Sequence, residues 1–173
     1  MRKILLVVDM QNDFIDGALG TPEAVAIVPN VRKKIEEFDG TVLFTRDTHE
    51  SNYLETQEGK NLPVPHCIRG TKGWEIREEL DILRKTEPID KVTFGSSELG
   101  PLLQKLDSEE KIESITVIGL CTDICVISNV MISKAYLPEV PVFVDANCCA
   151  GVSTKTHENA LEAMEVCQVK VIR

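Results

Sequence analysis

Six short runs rich in apolar and β-branched residues, at positions 4–8, 41–45, 89–92, 115–120, 140–144 and 169–172, recur along the chain with intervals long enough to cross a sheet. The first is apolar at consecutive rather than alternate positions, which marks a strand covered on both faces. Between the runs lie stripes of helical period. Val31, Ile35 and Phe38 form one, closed by Asp39-Gly40; Leu99, Leu102, Leu103 and Leu106 follow Ser96 or Ser97 as N-cap; His157, Ala160, Leu161 and Met164 form the last. Strands alternating with helices imply parallel neighbours joined by right-handed crossovers. The expected fold is α/β, a three-layer doubly wound parallel sheet of six strands in the order 3-2-1-4-5-6 with helices on both faces. A chain of 173 residues buries a sufficient core as one domain, 1–173.

Two stretches stand outside this rhythm. Residues 16–29 read as a loop punctuated by Gly and Pro. Residues 46–88 lack an extended periodic segment, carry Gly59, Pro63, Pro65, Gly70 and Gly73, and offer one short helix over 74–80. A connection this long is usually functional or disordered. Two of the three histidines, His49 and His66, fall in it, which favours function.

Doubly wound sheets bind ligands beyond the C-terminal ends of the strands, at the switch point between the first and fourth. Asp9 ends the first strand, Lys91 lies in the third, and Cys125 follows the fourth. Asp123 reads as an N-cap, which puts Cys125 in the first turn of a helix over 123–136. Free N–H groups and the positive dipole end there lower a thiol's pKa and supply donors for an oxyanion. A thiolate, a cation beside it and a proton carrier are the parts of covalent acyl transfer. Taken singly, a buried cysteine is more often a small hydrophobe and a buried lysine–aspartate pair more often structural. Convergence of all three on one crevice favours catalysis.

Asp47-x-His49 places two ligand types on the same side of an extended strand end, and His66 can arrive from the long loop. An Asp/His₂ set with open positions suits Zn²⁺, Fe²⁺ or Mn²⁺, and the ligand types do not choose among them. His157 sits on an apolar helix stripe and is assigned to packing or a helix contact.

Composition narrows the partners. A net charge of −9 without a basic cluster excludes a phosphate backbone, so no nucleic acid is expected. No apolar run reaches the length of a membrane span, and the first run meets Asp9 too soon for a signal peptide, so no membrane partner and a cytoplasmic location are expected. Six cysteines then read as reduced thiols, not a disulfide framework. Three residues separate Cys121 from Cys125, one more than in the redox Cys-x-x-Cys motif.

Several segments carry a resemblance. Val7-Val8-Asp9-Met10-Gln11-Asn12-Asp13-Phe14, Asp47-Thr48-His49, Pro65-His66-Cys67-Ile68-Arg69-Gly70-Thr71-Lys72-Gly73, Lys91 and Gly119-Leu120-Cys121-Thr122-Asp123-Ile124-Cys125-Val126 together resemble the isochorismatase-like cysteine hydrolases, most closely the nicotinamidase branch. The resemblance implies an Asp9, Lys91, Cys125 triad that cleaves a small carboxamide to acid and ammonia through a thioester. It implies an oxyanion hole from the backbone N–H groups of Cys121 and Cys125, beside a cis Leu120–Cys121 bond. It also implies a divalent metal, zinc in the first instance with iron or manganese as alternatives, held by Asp47, His49 and His66. Glu55, Glu58 or water completes that set, and Phe14 contacts the substrate ring. The chain departs from the nicotinamidase pattern at Pro63, where an aromatic residue is common, and at Thr48 in place of Trp. Two alternatives stand beside the amidase: the same thiol chemistry on a carbamoyl or ureido compound, and a non-catalytic small-molecule-binding member of the fold. Vinyl-ether hydrolysis is disfavoured, since it does not require a cysteine at position 125. A homo-oligomer paired through an apolar helix face is expected.

Overall fold

Ile4, Leu5, Leu6, Val7 and Val8 are at most 1% exposed, because the strand that carries them is covered from both sides. Each such side chain contributes about 1.5–3 kcal/mol by leaving water. In the computed structural model, which describes all 173 residues, β1 (Arg2–Val8), β2 (Thr41–Asp47), β3 (Ile89–Lys91), β4 (Ile112–Leu120), β5 (Val142–Ala150) and β6 (Lys170–Ile172) make one sheet. Its order is β3-β2-β1-β4-β5-β6 and every neighbouring pair is parallel, as the alternating pattern predicts. The helices are α1 (Asn12–Ile15), α2 (Pro22–Glu37), α3 (Gln57–Asn61), α4 (Glu78–Asp81), α5 (Leu99–Glu109), α6 (Ile127–Tyr136) and α7 (Thr154–Val166). None is long and apolar enough to cross a membrane.

Alternate residues of β1 serve different cores. Ile4, Leu6 and Val8 pack with Leu103 of α5, Val130 of α6 and Leu161 of α7. Leu5 and Val7 pack with Val28, Val31 and Ile35 of α2. The three layers follow from that division.

Local structure departs from the sequence pattern at several places, among them the start of α5, whose N-cap is Glu98 rather than Ser96 or Ser97. Residues 16–29 are not all loop, since α2 begins at Pro22. Thr21 caps it, accepting from the Ala24 N–H at 3.0 Å, and Pro22 needs no donor in the first turn. Pro29 stands inside the helix at an exposed position, and having no N–H it cannot donate to the Val25 carbonyl. In the long connection, a 3₁₀ turn (Tyr53–Glu55) and α3 form, and the expected helix over 74–80 shrinks to α4. β5 runs past Asp145 to Ala150 through a register shift, with Asp145 held by Lys34 at 2.8 Å. Finally, Asp123 does not cap its helix. A π-turn over Thr122–Val126 precedes α6, and the Asp123 carboxylate instead accepts from the Val152 N–H at 3.1 Å.

Candidate active site

Asp9, Lys91 and Cys125 meet at the switch point. Lys91 Nζ lies 2.7 Å from Asp9 Oδ2 and 3.4 Å from Cys125 Sγ, with the lysine side chain 1% exposed. The same ammonium donates to Asp47 Oδ1 at 3.0 Å and to the Thr93 carbonyl at 3.1 Å. Asp9 sits just past β1 with φ +48°, a left-handed conformation that Asp tolerates better than most residues. Its Oδ1 accepts from Oγ1 of Thr45, in the neighbouring β2, at 2.7 Å. The Leu120–Cys121 peptide bond is cis.

Burial dominates the electrostatics. It pushes the Asp9 carboxyl above its ordinary range, with Asp47 adding to the effect and Lys91 opposing it. Burial, together with Asp9, likewise raises the Cys125 thiol well above 9.0 although Lys91 pulls the other way. Lys91 stays charged: burial opposes the charge, but Asp9, Cys125 and Asp47 outweigh it. The sequence reading placed a lowered thiol pKa at the helix start. Desolvation and the nearby Asp9 carboxylate act against that and hold the thiol above its ordinary range. Cys121 is pushed up to about 12 by burial and by Asp123, and unlike Cys125 it makes no hydrogen bond to Lys91.

Beside this group stands a second one. Ligand atoms of Asp47, His49, Glu58 and His66 all lie within 4.8 Å of one another. Glu58, on α3, is the residue that the 3₁₀ turn and short helix swing inward; Glu55 is exposed and takes no part. His66 Nδ1 donates to the Val64 carbonyl at 2.8 Å, which leaves Nε2 as a lone-pair donor facing the cluster. His49 Nε2 is buried without a hydrogen-bond partner, even though Asp47 Oδ2 is 2.9 Å away. Two polar atoms that close and not hydrogen-bonded suit ligands aimed at one common point. Two imidazoles and two carboxylates fit a divalent ion. The fit is to a first-row transition metal.

Positioning residues that the sequence reading left without a role surround both groups. Gln11 clamps the Asp47 backbone, donating to its carbonyl at 2.8 Å and accepting from its N–H at 2.7 Å. Tyr53, 1% exposed, stands edge-on to His49 and His66 and donates to the Leu62 carbonyl at 2.9 Å. Asp13 accepts from the Cys67 N–H at 2.8 Å and so pins the segment bearing His66. The available signal was a buried-looking polar residue at a strand end, but its partners lie dozens of positions away. His157, expected in a helix contact, hydrogen-bonds through Nδ1 to Thr122 Oγ1 at 2.7 Å.

A cavity of about 710 Å³ joins the two groups. Cys125 and Cys121 open onto it from one side and Asp47, Glu58 and His66 from another. Phe14 lines it, its ring 5.4 Å from that of His66, and so does Phe94. All six cysteines are free thiols.

The isochorismatase-domain family model matches residues 3–173. The nicotinamidase/pyrazinamidase of Mycobacterium tuberculosis is 27% identical over 98% of each chain. Among solved structures, a pyrazinamidase of Pyrococcus horikoshii in complex with zinc superposes with a TM-score of 0.81, at 25% identity, over 100% of this chain and 99% of that one. An N-carbamoylsarcosine amidase of Thermoplasma acidophilum superposes with a TM-score of 0.76, at 26% identity, over 100% and 96%. The order of the sheet, the meeting of Asp9, Lys91 and Cys125 and these likenesses agree: the chain belongs to the isochorismatase family, in its nicotinamidase-like branch.

Proposed function

We propose that the protein is a cysteine amidohydrolase that cleaves a small, nicotinamide-like carboxamide to the acid and ammonia. The observation that carries this reading is the reach of Lys91 Nζ to both Asp9 and Cys125, at 2.7 and 3.4 Å, at the wall of a cavity that also holds a four-ligand cluster. Residues 1–173 act as one hydrolase domain, a reading supported by the near-complete family match.

Asp9 takes the thiol proton as Sγ of Cys125 attacks the amide carbon, and Lys91 stabilises the developing thiolate. Backbone N–H groups of Cys121 and Cys125 receive the oxyanion. As the tetrahedral intermediate collapses, the C–N bond breaks and Asp9 returns the proton to the leaving nitrogen, so ammonia departs and a thioester remains. Water then gives a proton to Asp9 and attacks the thioester carbon; the C–S bond breaks, and Cys125 recovers its proton from Asp9.

Asp47, His49, Glu58 and His66 would hold the divalent ion, which we take as zinc because the Pyrococcus horikoshii neighbour was crystallised with it. Such an ion supplies Lewis-acid charge and a coordination position for a ring nitrogen of the substrate. Phe14 supports one face of the ring.

Likeness to an N-carbamoylsarcosine amidase, with Pro63 where nicotinamidases commonly have an aromatic residue, supports a second reading: the same thiol chemistry on a carbamoyl compound. Ammonia release from a panel of carboxamides and ureido compounds by zinc-loaded protein tests both. Activity on either class that disappears in Cys125→Ser is expected. Activity surviving that substitution would remove the thioester route, and a wild type inert to the whole panel would leave a binding protein.

A further inference from the structure

Asn129 of α6 is fully buried, and its amide spans two segments that flank the cavity. Nδ2 donates to the Cys125 carbonyl at 2.8 Å and to the Phe94 carbonyl at 3.3 Å, while Oδ1 accepts from the Ser96 N–H at 2.9 Å. One side chain thus ties the turn carrying Cys125 to the loop after β3 that carries Phe94. Other contacts hold the loop to the same place. Lys91 fixes the Thr93 carbonyl, and a Cβ built on Gly95 would stand 2.6 Å from Ile132 Cδ1 of α6, so the loop backbone lies against that helix. Phe94 itself is 47% exposed and, like Cys125, lines the cavity. A ring so placed gets little restraint from packing around it; its position depends on the backbone that Asn129 holds.

We propose that Asn129 is a positioning residue that sets the width of the cavity between Phe94 and Cys125, and so decides how bulky an acyl group can approach the sulfur. This deepens the amidohydrolase reading and rests on it for the identity of the nucleophile, but its test does not need amidase activity. The measurement is the rate of alkylation at Cys125, followed by mass spectrometry, with iodoacetamide and with a bulky N-aryl maleimide. Cys167, which is exposed, gives the intrinsic reactivity ratio of the two reagents, and buried Cys149 reports any opening of the fold.

In the wild type the bulky reagent is expected to be disfavoured at Cys125 relative to Cys167. Asn129→Leu, which keeps the branching at Cγ and removes all three bonds, is expected to reduce that discrimination by about fivefold, the order of one net hydrogen bond. Asn129→Asp, which keeps the acceptor for Ser96 and loses both donations, should fall between. Phe94→Ala, at an exposed position, should reproduce the loss without touching the helix. With Cys149 still protected, an unchanged size ratio in Asn129→Leu would reduce Asn129 to a fold staple. Where neither Asn129 variant folds, Phe94→Ala decides: a lost discrimination supports the proposal, and an unchanged one overturns it. If alkylation behaves as expected while no amide is hydrolysed, the proposed activity fails and the positioning role stands.

Discussion

Asp47 is bound to Lys91 through one oxygen and turned toward the two histidines through the other: Oδ1 accepts from Nζ at 3.0 Å, and Oδ2 stands 2.9 Å from His49 Nε2 and 3.7 Å from His66 Nε2. Burial opposes its charge, but His49 and Lys91 beside it hold its carboxyl below the usual range. A single carboxylate therefore serves both halves of the site. Asp47→Asn is expected to weaken zinc binding by at least about tenfold and to depress kcat even at saturating zinc. His49→Ala, which removes no contact of Lys91, is expected to lose zinc affinity and to regain more of its kcat as zinc is raised. Equal recovery in the two variants would show that the Lys91 contact is idle.

Glu58 and Glu55 are three residues apart and chemically alike, yet only Glu58 joins the cluster. Glu58→Gln should lower zinc affinity about tenfold or more, while Glu55→Gln should leave it unchanged. Competition with a chromogenic chelator measures both. Full affinity in Glu58→Gln would return the fourth position to water.

The raised pKa of Asp9 fixes the sign of a pH effect. In its proposed role as the base that takes the thiol proton, Asp9 would act only when ionised, and burial moves its ionisation above the usual carboxylate value of 3.8. The acid limb of kcat/KM should therefore fall at a pH above that value. Zinc content measured at each pH separates this limb from metal loss. A limb at or below pH 4 with zinc retained would contradict the role given to Asp9.

His157 predicts a pH effect on stability instead. Burial lowers its pKa from 6.5, so the folded protein keeps the ring neutral where the unfolded chain protonates it. Above pH 6.5 the two states match. As pH falls below 6.5 the unfolded state binds the extra proton and stability declines, levelling off once pH passes the lower folded value. Denaturant midpoints from pH 7.5 down to pH 5 should show that decline, and His157→Gln should flatten it. An equal decline in the variant would assign it to other groups.

Much of this was legible before folding. Consecutive apolar residues at positions 4–8 with alternating helical stripes specify a covered parallel sheet, because period and burial are local properties of sequence. The same logic brings Asp9, Lys91 and Cys125 to one crevice, since each lies at a strand end whose position follows from topology. Asp47, His49 and His66 were legible from residue type and spacing. The start of α2 is hidden in the sequence because Pro22 reads equally as loop punctuation, whereas after Thr21 it occupies a first-turn position.

Tertiary structure alone decided the rest. Which glutamate faces the histidines depends on how the 3₁₀ turn and α3 pack under the loop, not on any local preference. The direction in which the Cys125 thiol's pKa moves depends on burial, a property of everything around it and not of its place in a helix. Likewise the bonds of Asn129 to Phe94 and Ser96 and of Gln11 to Asp47 join residues more than thirty positions apart. The sequence by itself determined the sheet and the list of reactive side chains; distance, desolvation and pairing, which arise only when remote segments pack, decided what those side chains can do.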